Sequence, residues 1–117
     1  MYSEDDNIRI KSIHKKLTSI FTIIKRHDGI VKALKDDIEA QPAILMLLVA
    51  ISEQFNKLSK INSNILENFD ILDIKGMTDI RNFISHDYDG VNLALIESIL
   101  RVDMPRILSQ VENALKD

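Results

Sequence analysis

The stretch PAILMLLVAISEQFNKLS, residues 42–59, decides how this chain folds. From Ala43 to Ile51 it is apolar without a break. Such a run is greasy on every side of a helix, so it predicts a rod buried among other rods. It is too short to cross a bilayer, which takes about 20 residues. From Ser52 onward polar residues return between Phe55 and Leu58, and the helix becomes amphipathic. Glu53 falls at that change, where a boundary of the core is expected. Pro42 suits a first helical turn, where a missing N–H costs nothing.

Other helices are predicted on both sides of this one. Ile8, Ile13, Leu17, Ile20, Phe21 and Ile24 recur at helical spacing and mark an amphipathic first helix. It ends in KRHDG, where Lys25, Arg26 and His27 suit the negative helix end and Gly29 suits a left-handed cap. That end is the role predicted for His27, while His14 has none assigned. Residues 30–39 read as a short second helix, and INSNILENF as a polar connection. A fourth helix is expected over about Ile71 to Tyr88, with Gly90 as its stop, and a fifth over Val91 to Leu100. Asp103 is expected to cap the last helix, with Pro105 in its first turn. No stretch alternates with the period of a strand. The expectation is an all-α antiparallel bundle of about five helices, one domain over 1–117 with a flexible lead-in over 1–7.

Composition narrows the function classes. There is no cysteine, which excludes disulfides and thiolate metal sites and suits a reducing compartment. The acidic, polar N-terminus MYSEDDN is unlike a signal peptide, and a cytoplasmic protein without membrane attachment is expected. The net charge of -3 conceals an asymmetry: residues 8–35 hold eight Lys or Arg against the single acid Asp28. A basic first helix could attract a polyanion, which makes Lys11, Lys15 and Lys16 candidate RNA contacts; it could also be an ordinary solvated face.

The chemistry lies in RNFISHDY, residues 81–88. On a helical wheel with Arg81 at zero, Ser85 falls near ~40°, Asn82 near ~100°, His86 near ~140° and Tyr88 near ~-20°. Met77, Ile84, Ile80 and Phe83 fill roughly -40° to -160°, which makes that side apolar. Arg81 and His86 are separated by about 7.5 Å along the axis and do not stack on one another. They could instead converge on a third body of phosphate size. A guanidinium holds phosphate oxygens and offsets charge building at phosphorus. An imidazole passes protons near neutral pH. RNA carries its own nucleophile, the 2′-hydroxyl, so positioning and acid-base chemistry can suffice without a metal. The plain alternative is a solvated helix end. One arginine and one histidine also make a thin site, which suggests two such helices facing each other across a two-fold axis.

RNFISHDY resembles the R-N-x-x-x-H-x-Y signature of HepT-like toxins, which belong to the HEPN superfamily of helical ribonucleases. QPAILMLLVAISEQFNKLS resembles the long helix of that family, with Gln41, Ala43 and Glu53 at familiar places. IKGMTDIRNFISHDY and VNLALIESILRVDMPRIL resemble the segments around the motif, including the step at Asp103, Met104 and Pro105. The resemblance implies an HEPN-like helical homodimer that cleaves RNA without a metal or other cofactor at a cleft between its two motifs. It implies Arg81 and His86 as the catalytic pair, with Asn82 and Ser85 in support. It implies a partner, a small MNT-type nucleotidyltransferase antitoxin that uses ATP to transfer AMP to Tyr88. A different class of function also fits: a non-catalytic helical subunit that docks a nucleotidyltransferase or holds a nucleotide.

Overall fold

The computed structural model describes residues 2–116, and its elements are helical throughout. In order they are α1 (Glu4–Arg26), α2 (Ile30–Lys35), α3 (Ala40–Lys60), a 3-10 turn (Asn64–Asn68), α4 (Ile71–His86), α5 (Leu93–Ser98), a π-helical segment (Ile99–Asp103) and α6 (Met104–Lys116). No strand occurs among the described residues, so the all-α bundle expected from the sequence is the fold found. None of these helices is long and apolar enough to cross a membrane.

The stretch from Pro42 to Ser59 is the centre of the molecule. Helix α3 buries Ile44, Leu45, Leu48, Val49, Ile51, Phe55 and Leu58. It packs against α1 and α4, and α2 lies against it as well. Burying each of these side chains contributes roughly 1.5–3 kcal/mol before entropy is counted. Met46, 55% exposed, is the exception in the apolar run.

The lead-in expected to be flexible is helical from Glu4. Ser3 caps it, its Oγ accepting from the Asp6 N–H at 3.0 Å, and Glu4, Asp5 and Asp6 complement the helix dipole. The buried Asp6 carboxylate accepts from the Ser63 hydroxyl, and Asn68 donates to the Tyr2 hydroxyl at 2.8 Å. These bonds tie the start of α1 to the connection before α4. That connection is more than polar loop: its 3-10 turn buries Ile65, and Phe69 meets Phe55 edge-on at 5.2 Å.

At the other end of α1 the left-handed residue is Asp28 (φ 61), not Gly29. Gly29 takes a different positive-φ conformation (φ 133) that leads into α2. His27 closes α1 as expected and does one thing more. Its Nδ1 lies 2.9 Å from the Ile23 carbonyl and its Nε2 lies 3.0 Å from the Asp36 carboxylate. Neither acceptor has a proton to give, so both contacts are satisfied together only by the doubly protonated ring. Asp36 also explains why α2 stops at Lys35 rather than at 39. Its carboxylate turns to accept from the N–H groups of Ile38, Glu39 and Ala40 at 3.3, 3.2 and 3.1 Å, capping α3.

The last rod departs from expectation too. Asn92 caps α5, its side chain accepting from Ala94 and Leu95, so that helix begins at Leu93. No break follows; α5, the π segment and α6 join end to end. Asp103 therefore does not cap α6. Pro105 has no N–H, and its ring crowds the preceding turn of an α-helix. The ladder widens just ahead of it, with the Met104 N–H reaching back five residues to the Ile99 carbonyl. Asp103 accepts from Arg106 at 3.1 Å instead.

Candidate active site

Helix α4 carries Arg81 to His86 of the RNFISHDY motif, and three attachments set its orientation. Met77, Ile80 and Ile84 are buried and anchor its apolar face. Near its start the buried Asp73 accepts from Arg106 Nε and Gln110 Nε2 of α6, both at 3.0 Å. These hydrogen bonds hold the Asp73 carboxyl below the usual carboxylate range, against the opposite pull of burial. Near its middle, the Arg81 backbone N–H reaches the fully buried Ser52 Oγ of α3 at 3.3 Å. Neither Ser52 nor Asp73 stands out in the sequence. Their signal is a polar residue at an inward-facing helical position.

The opposite face is open. Arg81, Asn82, Ser85 and His86 are all exposed, as the wheel predicts. None of their side chains has a hydrogen-bond or ion-pair partner among the described residues. Phe83 is 36% exposed and stands beside them rather than fully in the core.

Within one chain Arg81 and His86 do not share a crevice. Arg81 lines a groove of about 320 Å³ between α3 and α4, with Glu53, Asn56, Lys57, Lys60, Thr78 and Asn82. His86 lines a second depression of about 470 Å³, with Asn82, Phe83, Asp87, Gly90, Val91 and Asn92. Asn82 is common to both. Glu53, expected at the core boundary, is exposed on the rim of the Arg81 groove.

Tyr88 requires a correction. Helix α4 ends at His86, so the wheel does not place Tyr88 beside Arg81 and Ser85. Residues 87–90 form a turn instead, closed by the Gly90 N–H donating to Asp87 Oδ1 at 3.0 Å. A Cβ on Gly90 would run into the Asp87 carboxyl group, so any larger residue here makes that side chain give way. Tyr88 is exposed on this turn and lines neither depression.

The basic side chains of α1 lie elsewhere. Helix α1 packs on α3, α6 and α2, and has no extensive contact with α4. Lys11 and Lys15 are exposed, and Lys16 Nζ donates to Ser12 Oγ at 2.8 Å. The fold therefore does not bring these three to the motif. His14 has Glu112 as a distant ionic neighbour at 3.9 Å.

A comparison with protein families matches residues 13–114 to the family described as Ribonuclease HepT-like. Comparisons with curated proteins and with solved structures yield no match. The matched span takes in α3, the whole of α4 with its open polar face, and the unbroken rod that follows. This chain belongs to the HepT-like ribonuclease family.

Proposed function

We propose that this chain is a toxin endoribonuclease that cleaves RNA without a metal, with Arg81 and His86 as its catalytic pair. One observation carries the proposal: Arg81, Asn82, Ser85 and His86 occupy an exposed face with no side-chain partners among the described residues. Left to water, these four polar groups add little to the stability of a helix already anchored by its apolar face. A ligand with phosphate oxygens and hydroxyls satisfies all of them.

The reaction is an in-line transfer. The RNA 2′-oxygen attacks the adjacent phosphorus as its proton passes to a neutral imidazole. The bond from phosphorus to the 5′-oxygen breaks, and an imidazolium protonates that leaving oxygen. The products are a 2′,3′-cyclic phosphate and a free 5′-hydroxyl. Arg81 offsets charge on the non-bridging oxygens, and Asn82, between the two depressions, orients the phosphate. Acid and base are needed at once, and one chain supplies one histidine on this face. A homodimer with the two α4 helices facing across a two-fold axis supplies both.

Neutralisation is assigned to a nucleotidyltransferase of the MNT type. The exposed Tyr88 oxygen attacks the α-phosphorus of ATP, pyrophosphate leaves, and the phenolic proton goes to solvent. Tyr88 sits two residues beyond His86, so the added AMP brings bulk and negative charge to the mouth of the site.

The test is His86→Ala, assayed for RNA cleavage with chelator present and for growth inhibition on expression. Loss of both with an unchanged helical spectrum is expected. Undiminished cleavage or toxicity in His86→Ala refutes the catalytic assignment, and an absence of cleavage by the wild type leaves the non-catalytic binding subunit standing. For the modification, the chain is incubated with its nucleotidyltransferase and ATP, and its intact mass is taken. A gain of one or more AMP units that Tyr88→Phe abolishes is expected, and an equal gain on Tyr88→Phe refutes the assignment.

A further inference from the structure

The groove on the Arg81 side of α4 has a composition that catalysis at one phosphate does not require. Its walls hold three cations, Lys57, Lys60 and Arg81, against one carboxylate, Glu53. None of the three cations forms an ion pair among the described residues. The remaining lining groups are Asn56, Thr78 and Asn82. No apolar or aromatic side chain lines it, so it offers no anchor for an apolar protein segment and no surface for stacking a base. It offers point charges and hydrogen bonds, the equipment for a sugar-phosphate backbone irrespective of sequence.

We infer that this groove is the backbone track of the RNA substrate, in which Lys57 and Lys60 hold the phosphates adjoining the one gripped by Arg81. The inference rests on the ribonuclease reading, and it relocates the polyanion contacts from Lys11, Lys15 and Lys16 on α1 to the second half of α3. The helix repeat brings this about. Glu53, Asn56, Lys57 and Lys60 follow at steps of three, one and three, so they share the stripe of α3 that flanks α4. Lys57 and Lys60 are about 4.5 Å apart along the axis, and their flexible stems reach successive phosphates. Glu53, one turn towards the start of α3, repels phosphate and sets where the track ends.

The test measures binding apart from turnover. The probe is a mixed-sequence oligonucleotide of about 20 nucleotides carrying 2′-O-methyl groups throughout, which has no nucleophile and cannot be cut. The protein is Lys57→Gln/Lys60→Gln, with Lys32→Gln/Lys35→Gln on α2 as a control of equal charge. Each phosphate contact to a single strand contributes about 0.7 to the slope of log affinity against log salt. Removing two contacts should flatten the slope by about 1.4, which is about a 25-fold loss of affinity at 0.1 M salt, fading towards 1 M. The control pair should keep the wild-type slope. With cleavable RNA, KM should rise by a similar factor while kcat stays within about twofold.

Unchanged affinity in Lys57→Gln/Lys60→Gln, an equal loss in the α2 control, or no binding by the wild type overturns the inference. Lysine-dependent binding of a polyglutamate peptide without binding of the oligonucleotide overturns it in favour of an acidic protein. Binding that depends on the two lysines in a chain that never cleaves RNA supports the track and removes the ribonuclease reading. The two can thus fail separately.

Discussion

Replacing Asp73 by alanine should cost the fold about 2–3 kcal/mol at neutral pH. The side chain is only 8% exposed and carries the polar attachment between α4 and α6. It accepts from Arg106 through both Nε and Nη2, and from Gln110 Nε2. Hydrogen bonds to a charged group contribute about 1.5–3 kcal/mol each when buried. The Arg106 side chain, however, is 48% exposed and regains water when its acceptor is removed, so the set counts for about one such bond. At roughly 2.1 cal/mol/K of unfolding entropy per residue, a chain of 117 residues loses about 8–12 °C in Tm. The pH dependence has a definite sign. A carboxyl held low in the folded state stabilises above its unfolded value of about 3.9, and that contribution is lost as pH falls through the folded value. The advantage of wild type over Asp73→Ala should be complete at pH 7 and shrink below about pH 4. Thermal unfolding followed by circular dichroism at pH 7, 5 and 3, with Asp73→Asn as the variant of equal size, measures this. An unchanged Tm at pH 7, or an advantage indifferent to acid, refutes the view that this pair clamps α4.

His27 behaves in the opposite sense. The Ile23 carbonyl first and Asp36 second raise its pKa, so its contribution is complete below the unfolded value of about 6.5 and is lost as pH rises through the folded one. Urea midpoints of wild type and His27→Gln should therefore differ most at pH 6 and converge by about pH 9. Phe55→Ala removes a fully buried ring and its edge-on contact with Phe69, and should lower unfolding free energy by about 3–5 kcal/mol in urea titrations. Gly90→Ala displaces the Asp87 carboxyl, the mobile end of a surface side chain, so its cost should stay under about 1 kcal/mol by the same titration. Its larger effect should be a slower modification of Tyr88, read by mass, since the turn carrying that residue is rebuilt.

The helices were legible wherever apolar spacing alone decides them. Ala43 to Ile51 marked the central rod, and Ile13, Leu17 and Ile20 of the expected stripe are buried on α1, whereas Ile8 is 57% exposed and Ile10 takes the inward position instead. The errors lie at the ends of elements, where single side chains compete for backbone groups. Asp36 ends α2 early because its carboxylate serves three N–H groups of the next helix. Ser3 starts α1 early because a hydroxyl at that position caps it. At Pro105 the sequence offers two solutions, a new helix capped by Asp103 or a widened turn in one continuous rod. The rod wins because Ile99, Leu100, Met104 and Ile107 then all remain buried.

The motif was legible because a helix sorts Arg81, Asn82, Ser85 and His86 onto one side whatever surrounds it. What surrounds it was not legible, since this depends on which stripe of α3 lies alongside. Two turns of α3 make the point. Ser52 faces inward and takes the Arg81 backbone N–H, while Glu53, Lys57 and Lys60 face the groove that the Arg81 side chain enters. The same contact between helices thus places the backbone of Arg81 against a buried hydroxyl and its guanidinium among cations. Three cations against the single Glu53 carboxylate leave the groove with an excess of positive charge, and a bound anion offsets that excess. An unpaired arginine beside two unpaired lysines therefore argues for an anionic ligand more strongly than the motif does. Arg81 belongs to both the proposed catalytic pair and the proposed track, so its replacement should lower kcat and raise KM together. Replacement of His86 should lower kcat alone, because a neutral or singly charged ring outside the groove adds little to phosphate binding. If steady-state kinetics on Arg81→Gln and His86→Ala give the same pattern, the division of labour between the two depressions is wrong.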